Sequence, residues 1–546
     1  MKIQYKEKIF ELEQPETINN LLKQEIENNE FPVVAAIFDN EFVNLDFKLR
    51  KDGEVKLVDI LSKQGMRIYR RTLIYLFVMV SRKLYPESNA TVNYYLSNAT
   101  YCDLGNMEVT EEMVEELEKE MRNVIDSNLP IEDKIMNREE AEKFFEDNNT
   151  KRGKLQFDLE SNNEIHMNIC GNYFNYCYGI LANNTNIVKM FDLIKYDKGL
   201  LIMYPTTHNP KKIEKVIQSK KINWALNEYN DIHKILNINT VYKLNTAVEE
   251  KRIKDVIMLD EALHEKKIVN IADKIAKNRD IKMILIAGPS SSGKTTFAQR
   301  LGIQLRINKI KPVTISVDNY FVERTETPRD ENGDYNFEAI EAIDLELFNN
   351  HLTKLLNGEE IEMPHFDFHV GTKVYNGEKM KLNDDEVLVI EGIHCLNDRL
   401  TSSIPKEQKF KVYISALPVL NMDRYTKASS TDTRLIRRIV RDYQFRGYSA
   451  KHTINTWPSV IKGEVKNIYP FQEEADAIFN TSLIYELGVL KGIAEPLLEG
   501  ISKEEIEYAE AQRLLSLLKY IKIIPAEMVP TNSLLKEFVG GGDFKY

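Results

Sequence analysis

Cysteine is scarce in this chain: Cys102, Cys170, Cys177 and Cys395 are the only four in 546 residues, too scattered for a disulfide framework. Reduced thiols follow. Cys170 and Cys177 lie near each other without a CxxC partner, so they are read as small buried apolar side chains rather than zinc ligands. Long hydrophobic runs are missing too. The best, Leu73 to Val80, is flanked by Arg70, Arg71, Arg82 and Lys83 and falls far short of the roughly 18 residues that a membrane span needs. The opening residues MKIQYKEKIFELEQ are charged throughout and lack the apolar centre of a secretory signal, so a cytoplasmic protein is expected. Positive charge is in deficit. A net charge of -11 disfavours a sequence-blind nucleic-acid binder, which needs many cations facing phosphates. Internal repeats and low-complexity segments are absent.

What is present is ordinary globular material, with 43% hydrophobic and 29% charged residues. At about 150 residues per domain the length suggests three to four domains. Residues 1–62 read as a small sheet-rich module: Lys2 to Tyr5, Lys8 to Leu12, Val33 to Ile37, Phe42 to Leu45 and Glu54 to Val58 are strand candidates, and Thr17 to Glu27 a helix. Residues 63–205 combine amphipathic helices at Arg70 to Leu84 and Thr110 to Asp126 with a β-rich passage from Glu164 to Tyr204. Connecting helices are expected over 206–264. From 265 to 505 strands alternate with helices, the pattern of a doubly wound parallel sheet. Its strand candidates are Lys282 to Ala287, Pro312 to Val317, Glu386 to Ile390, Phe410 to Ala416 and Asp476 to Asn480. Residues 506–546, ending Val539-Gly-Gly-Gly542-Asp-Phe-Lys-Tyr546, read as a frayed C-terminal tail.

The strongest chemical signal is Gly288-Pro289-Ser290-Ser291-Ser292-Gly293-Lys294-Thr295-Thr296, directly after an apolar strand and before a helix. It matches G-x-x-x-x-G-K-[ST] in the required context. Its glycines let the backbone curl so that amide N–H groups face phosphate oxygens, and the helix N-terminus adds a favourable dipole. Lys294 is expected at the β and γ phosphates and Thr295 at Mg²⁺, of ATP or GTP. Asp318 follows the next strand and can accept a hydroxyl proton or steady the metal. Glu391 ends the strand after that, where a second metal-linked acid is expected. Further on, Arg434, Arg438 and Arg441 fall at i, i+4 and i+7 of a helix candidate, one face with three cations suited to a transferring phosphoryl group.

Together these residues resemble the uridine kinase and phosphoribulokinase family of P-loop phosphotransferases over about 281–500. The resemblance implies that Asp318 is the general base, that Glu391 holds Mg²⁺ through water, and that Arg441 and Arg446 contact phosphates from a lid. Arg438 would reach the sugar, and Glu338 stands where uridine kinases carry a ribose-binding aspartate. Tyr320, Phe366 and Phe368 belong to the segments that would face the acceptor. In the run Phe366-Asp367-Phe368-His369-Val370-Gly371 the base-reading histidine of uridine kinases is Gly371, and a lid arginine of that family is Tyr448.

The first half resembles the leading domains of threonyl-tRNA synthetase. Residues 1–62 are similar to its ubiquitin-like β-grasp (TGS) module. Residues 63–205 are similar to its α+β editing domain, on the cues Arg70 to Pro86, Glu116 to Pro130, Arg138 to Ala141 and Cys170-Gly171 with Cys177-Tyr-Gly179. The His-x-x-x-His of that editing site falls at Arg71 and Tyr75, a further histidine at Leu181, and Cys177 alone is kept. Without imidazoles to place a metal or move protons, hydrolytic editing is expected to be absent.

The expected activity is therefore ATP- and Mg²⁺-dependent phosphorylation of a nucleoside, or a related small molecule, by a multidomain α/β and α+β protein. Two alternatives stand beside it. One is a phosphoribulokinase-like enzyme acting on a sugar phosphate. The other is a nucleotide-switched regulator whose first half contacts tRNA or another RNA.

Overall fold

The computed structural model describes residues 1–545 apart from 97, 106, 148–164, 177–178, 216–220, 222–234, 330–332, 334, 368–369, 418 and 423–425. The first module is a mixed sheet of β1 (Lys2–Tyr5), β2 (Lys8–Glu11), β3 (Val33–Phe38), β4 (Glu41–Val43) and β5 (Gly53–Asp59) in the order β2-β1-β5-β3-β4. β1 and β5 run parallel and the other neighbours antiparallel. Alternation decides which side chains enter: Ile3 and Tyr5 of β1 are buried and Lys2 and Gln4 are exposed. The expected helix over Thr17 to Glu27 forms as two short pieces, Ile18–Leu21 and Lys23–Glu27, with Thr17 as N-cap.

Helix α1 (Lys63–Leu84) follows and begins seven residues before the expected Arg70, because the Ser62 hydroxyl accepts the Gly65 N–H and starts the helix there. A four-stranded antiparallel sheet of β6 (Thr91–Tyr95), β7 (Ala99–Asp103), β8 (Asp192–Tyr196) and β9 (Gly199–Met203), ordered β8-β9-β7-β6, packs with α1 and α2 (Glu111–Asp126) in one core. Glu132–Met136, Ile165–Cys170 and Tyr173–Tyr176 make a separate three-stranded sheet. Its Met136, Ile165 and Met167 join the core of the C-terminal half.

In that half, α3 (Ile253–Ala276) leads to β10 (Met283–Ala287), α4 (Lys294–Ile307), β11 (Lys311–Ser316), β12 (Glu386–Glu391), β13 (Lys409–Ser415), α5 (Ser430–Arg441), α6 (Ala450–Asn467), β14 (Ala477–Asn480), α7 (Glu486–Glu499) and α8 (Tyr508–Leu518). The five strands form one parallel sheet ordered β11-β12-β10-β13-β14. Continuous apolar runs fit this position: every residue of β10 and β13 is buried. Even Lys411 in β13 is satisfied there, donating to the Leu396 carbonyl at 2.9 Å and Asp398 Oδ1 at 2.8 Å.

Two expectations about organisation change. The boundary expected between 264 and 265 falls inside α3, whose Ile257, Ile268 and Ile275 all enter the core of the parallel sheet. The tail expected to fray from 506 is packed instead. Ala511, Leu514 and Leu518 of α8, then Ile521, Ile524, Leu534, Leu535 and Phe538, are buried in that same core, since each adds apolar surface that would otherwise face water. Among the described residues no helix is long and apolar enough to cross a membrane.

Candidate active site

The sheet register gathers the site. Ile286 of β10 and Ser316 of β11 both pair with Glu391 of β12, so the turn after β10, the end of β12 and the turn after β11 open at one edge. Gly288 to Gly293 bridges β10 and α4. Gly293 is the N-cap of α4 at φ 85°, a left-handed conformation that a side chain would resist. At this loop the Lys294 ammonium donates to the carbonyls of Gly288 at 2.9 Å and Pro289 at 3.3 Å. Thr295 Oγ1 donates to Glu391 at 3.2 Å.

Asp318 sits in the one-turn helix Val317–Tyr320 after β11, reachable by solvent although protein atoms crowd it. That crowding raises its carboxyl above the ordinary range, and the Lys294 charge opposes the rise. Glu391 is raised for the same reason, with Lys294 opposing and the nearby Glu537 carboxylate adding to the rise. Glu338, raised by burial and by Glu464, lies in the field of Lys294, Arg438 and Asp318. Asp318, Glu338 and Glu391 thus all lie within electrostatic reach of Lys294.

The arginines divide. Arg438 donates from Nη1 to Ser290 Oγ at 2.9 Å, so it reaches the loop. Arg441 and Arg446 pair with Asp442 Oδ1 at 3.2 Å and 3.6 Å and Arg438 with its Oδ2 at 3.2 Å, and Arg446 remains half exposed. Arg434, placed by its spacing on the same cationic face, is turned away: its guanidinium is 1% exposed and forks onto Glu464 at 2.6 and 2.8 Å. A buried guanidinium needs a buried partner more than it needs the cleft.

Two expected acceptor contacts fail in the same way. Tyr320 is fully buried, edge-on to Phe348 at 4.8 Å with its hydroxyl 3.1 Å from His351 Nδ1, and Phe366 packs in the core against Phe321 at 5.4 Å. Both fill the interior behind the site. Phe368 and His369 lie outside the described residues. Gly371 has φ 82°, and Arg324 Nε lies 2.6 Å from where its Cβ would be, so a guanidinium occupies the space above the glycine. Tyr448 stacks on His452 at 4.6 Å.

Three acids were missed. Glu464 accepts the Ser290 N–H at 3.0 Å, Asp442 pairs with Arg438, Arg441 and Arg446, and Glu537 accepts from Thr296. Asp442 directly follows the arginine-rich run and was legible there. Glu464 and Glu537 carry no motif.

In the first half, the three positions corresponding to histidines are engaged by the protein itself. Arg71 Nη1 donates to the Ile180 carbonyl at 2.7 Å, the Tyr75 hydroxyl to the Asn168 carbonyl at 3.0 Å, and Leu181 is buried. Cys177 lies outside the described residues.

Residues 283–483 match the model of the Phosphoribulokinase / Uridine kinase family. A uridine kinase of Halobacterium salinarum is 29% identical over 195 residues, 35% of this chain and 77% of that protein. A uridine kinase of Halalkalibacterium halodurans is 28% identical over 197 residues, 36% of this chain and 84% of that protein. The N-terminal region is similar to a threonine–tRNA ligase of Fusobacterium nucleatum, 28% identical over 163 residues, 29% of this chain and 26% of that ligase. The C-terminal half thus carries a P-loop kinase domain, and the chain spans about a quarter of the ligase it resembles.

Proposed function

We propose that the C-terminal half transfers the terminal phosphoryl group of ATP to a hydroxyl of a nucleoside or a related sugar-containing small molecule. The observation that carries this reading is the Thr295–Glu391 contact at 3.2 Å beside Lys294, with Asp318 at the same sheet edge. Hydroxyl and carboxylate oxygens suit Mg²⁺, which keeps several waters and takes one or two carboxylates with substrate phosphates. Thr295 and Glu391, with Asp318, would hold it, and when bound it neutralises charge on the phosphates.

In the proposed reaction Lys294 leaves the loop carbonyls to meet phosphate oxygens, and the backbone N–H groups of Ser291 to Thr296 orient the chain of phosphates. Asp318 accepts the proton of the attacking hydroxyl. Arg438, Arg441 and Arg446 offset the charge that builds on the phosphoryl oxygens, and Glu338 accepts a hydrogen bond from a sugar hydroxyl. Positioning and electrostatics supply the rate, as the chemistry needs no covalent intermediate on the protein.

A second reading, a sugar phosphate as the acceptor, is supported by the match of residues 283–483 to the Phosphoribulokinase / Uridine kinase family model. The similarity to a threonine–tRNA ligase supports an RNA-contacting role for the first half, without hydrolytic editing because Arg71, Tyr75 and Leu181 replace imidazoles. The test is purified protein with ATP, Mg²⁺ and a panel of nucleosides and sugar phosphates. Product is expected with wild type and none with Lys294→Ala. If neither protein binds nucleotide or forms product, the enzyme reading is wrong. Salt-dependent tRNA binding checks the RNA role.

A further inference from the structure

The last residues of the chain do something that neither the P-loop chemistry nor the lid requires. After α8 the chain runs back over the phosphate loop, and Ser533 through Val539 are buried there. Leu534 lies on Gly293 so closely that a Cβ at that glycine would meet its Cδ2 at 2.5 Å. Phe538 sits beneath the Arg437 guanidinium at 5.0 Å, and Arg437 Nη1 in turn donates to the Ser291 carbonyl of the loop at 3.4 Å. The Val539 carbonyl accepts from Gln444 Nε2 at 3.1 Å.

Between Leu534 and Phe538, the Glu537 carboxylate accepts the Thr296 backbone N–H at 3.2 Å and the Thr296 hydroxyl at 2.7 Å, both on Oε2. Thr296 is the third residue of α4, so its amide is one of the unpaired donors that a helix N-terminus offers to an anion. In a P-loop such donors belong to phosphate oxygens. Here a carboxylate of the chain itself has taken them. The same carboxylate is close enough to Glu391 to help raise its pKa, which puts negative charge where a triphosphate would bring more.

Resting on the nucleotide-site reading above, we propose that residues 530–545 act as an internal competitor of the nucleotide, with the Glu537 carboxylate standing in for a phosphate on Thr296, so that a nucleoside triphosphate binds only as the segment withdraws. To withdraw, the segment gives up the bonds from Lys536 Nζ to the Ala526 carbonyl at 3.1 Å and from Gln299 Nε2 to the Lys545 carbonyl at 2.8 Å. It is clipped to itself by the Asp543 N–H on the Thr531 carbonyl at 3.0 Å and by the Thr531 hydroxyl on Asp543 at 2.7 Å. The part before it is also held by Ile524, which donates its N–H to the Gly488 carbonyl at 3.0 Å.

The test is hydrogen exchange of amides 533–540 in the full-length protein, with and without saturating Mg²⁺-ADP, together with fluorescent-nucleotide binding to wild type and Glu537→Gln. Bound nucleotide is expected to speed exchange of those amides tenfold or more, and the variant to bind nucleotide about tenfold tighter. Exchange that slows or stays unchanged while nucleotide is bound overturns the proposal, because the segment would then be a wall of the site. That measurement needs only the wild type, so a variant that folds poorly leaves it intact. If neither protein binds nucleotide, the nucleotide-site reading itself falls, and this proposal falls with it.

Discussion

Asp318 is held by two opposed influences, the crowding of protein atoms around an exposed carboxyl, which favours its neutral form, and the Lys294 cation, which favours its charge, and the crowding prevails. Its folded pKa lies above that of a free aspartate, so in the proposed role of base its ionised form is lost as pH falls through that raised value. The acid limb of kcat/KM is expected above about pH 4, the free-aspartate value. Asp318→Asn should lower kcat by about 10²–10⁴ and abolish that limb. A pH profile unchanged in the variant would remove Asp318 from the role of base. Behind the site, Asp260 is fully buried, accepts the Ile484 N–H at 2.7 Å and is pushed up to about 8 by burial. Its pKa is raised on folding, so the stability it contributes is complete below about pH 4 and is lost as pH rises through 8. Urea midpoints measured at pH 6 and pH 9 should fall for wild type and change less for Asp260→Asn.

At the scale of elements, the ion pair between Arg434 of α5 and Glu464 of α6 decides how α5 is set against the loop. Both side chains are 1% exposed, and Glu464 also holds the Ser290 amide. Arg434→Met leaves a buried carboxylate uncompensated and is expected to cost about 3–5 kcal/mol. Trp457, 5.3 Å from the guanidinium, reports the loss by its fluorescence during urea unfolding. A change below about 1 kcal/mol would show that Glu464 finds another partner. The five parallel strands were legible because burial on both faces leaves an unbroken apolar run in the sequence. Helix α1 was legible only from its apolar stripe. Its first two turns depend on a serine cap and carry little of that stripe.

For the molecule as a whole, Asp432 at the start of α5 ties three parts together. It accepts from Arg67 of α1 at 2.8 Å and from Arg513 of α8 at 2.7 Å. Burial alone would raise this carboxyl, but Arg513 and Arg67 hold it well below its ordinary range. A depressed pKa means that the tie is complete above about pH 4 and is lost as pH falls further. Asp432→Asn should therefore uncouple the halves. Calorimetry is expected to resolve one transition into two, and to leave the wild-type trace single at neutral pH. Two transitions already present in wild type would show that the halves are independent, despite Met136, Ile165 and Met167 lying in the C-terminal core.

Local sequence alone determined the phosphate loop, because a strand, a glycine-bent turn and a helix start are contiguous and their amide donors need no distant partner. It also determined Asp318 and Glu391, since strand ends in a parallel sheet meet at one edge. Only the tertiary structure decided which arginines face the cleft, why Tyr320 and Phe366 do not, and where the last residues go. Each depends on a partner remote along the chain, 30 residues for Arg434 and Glu464 and 241 for Thr296 and Glu537. A buried charge or a free helix amide specifies that some partner must exist, and packing chooses which.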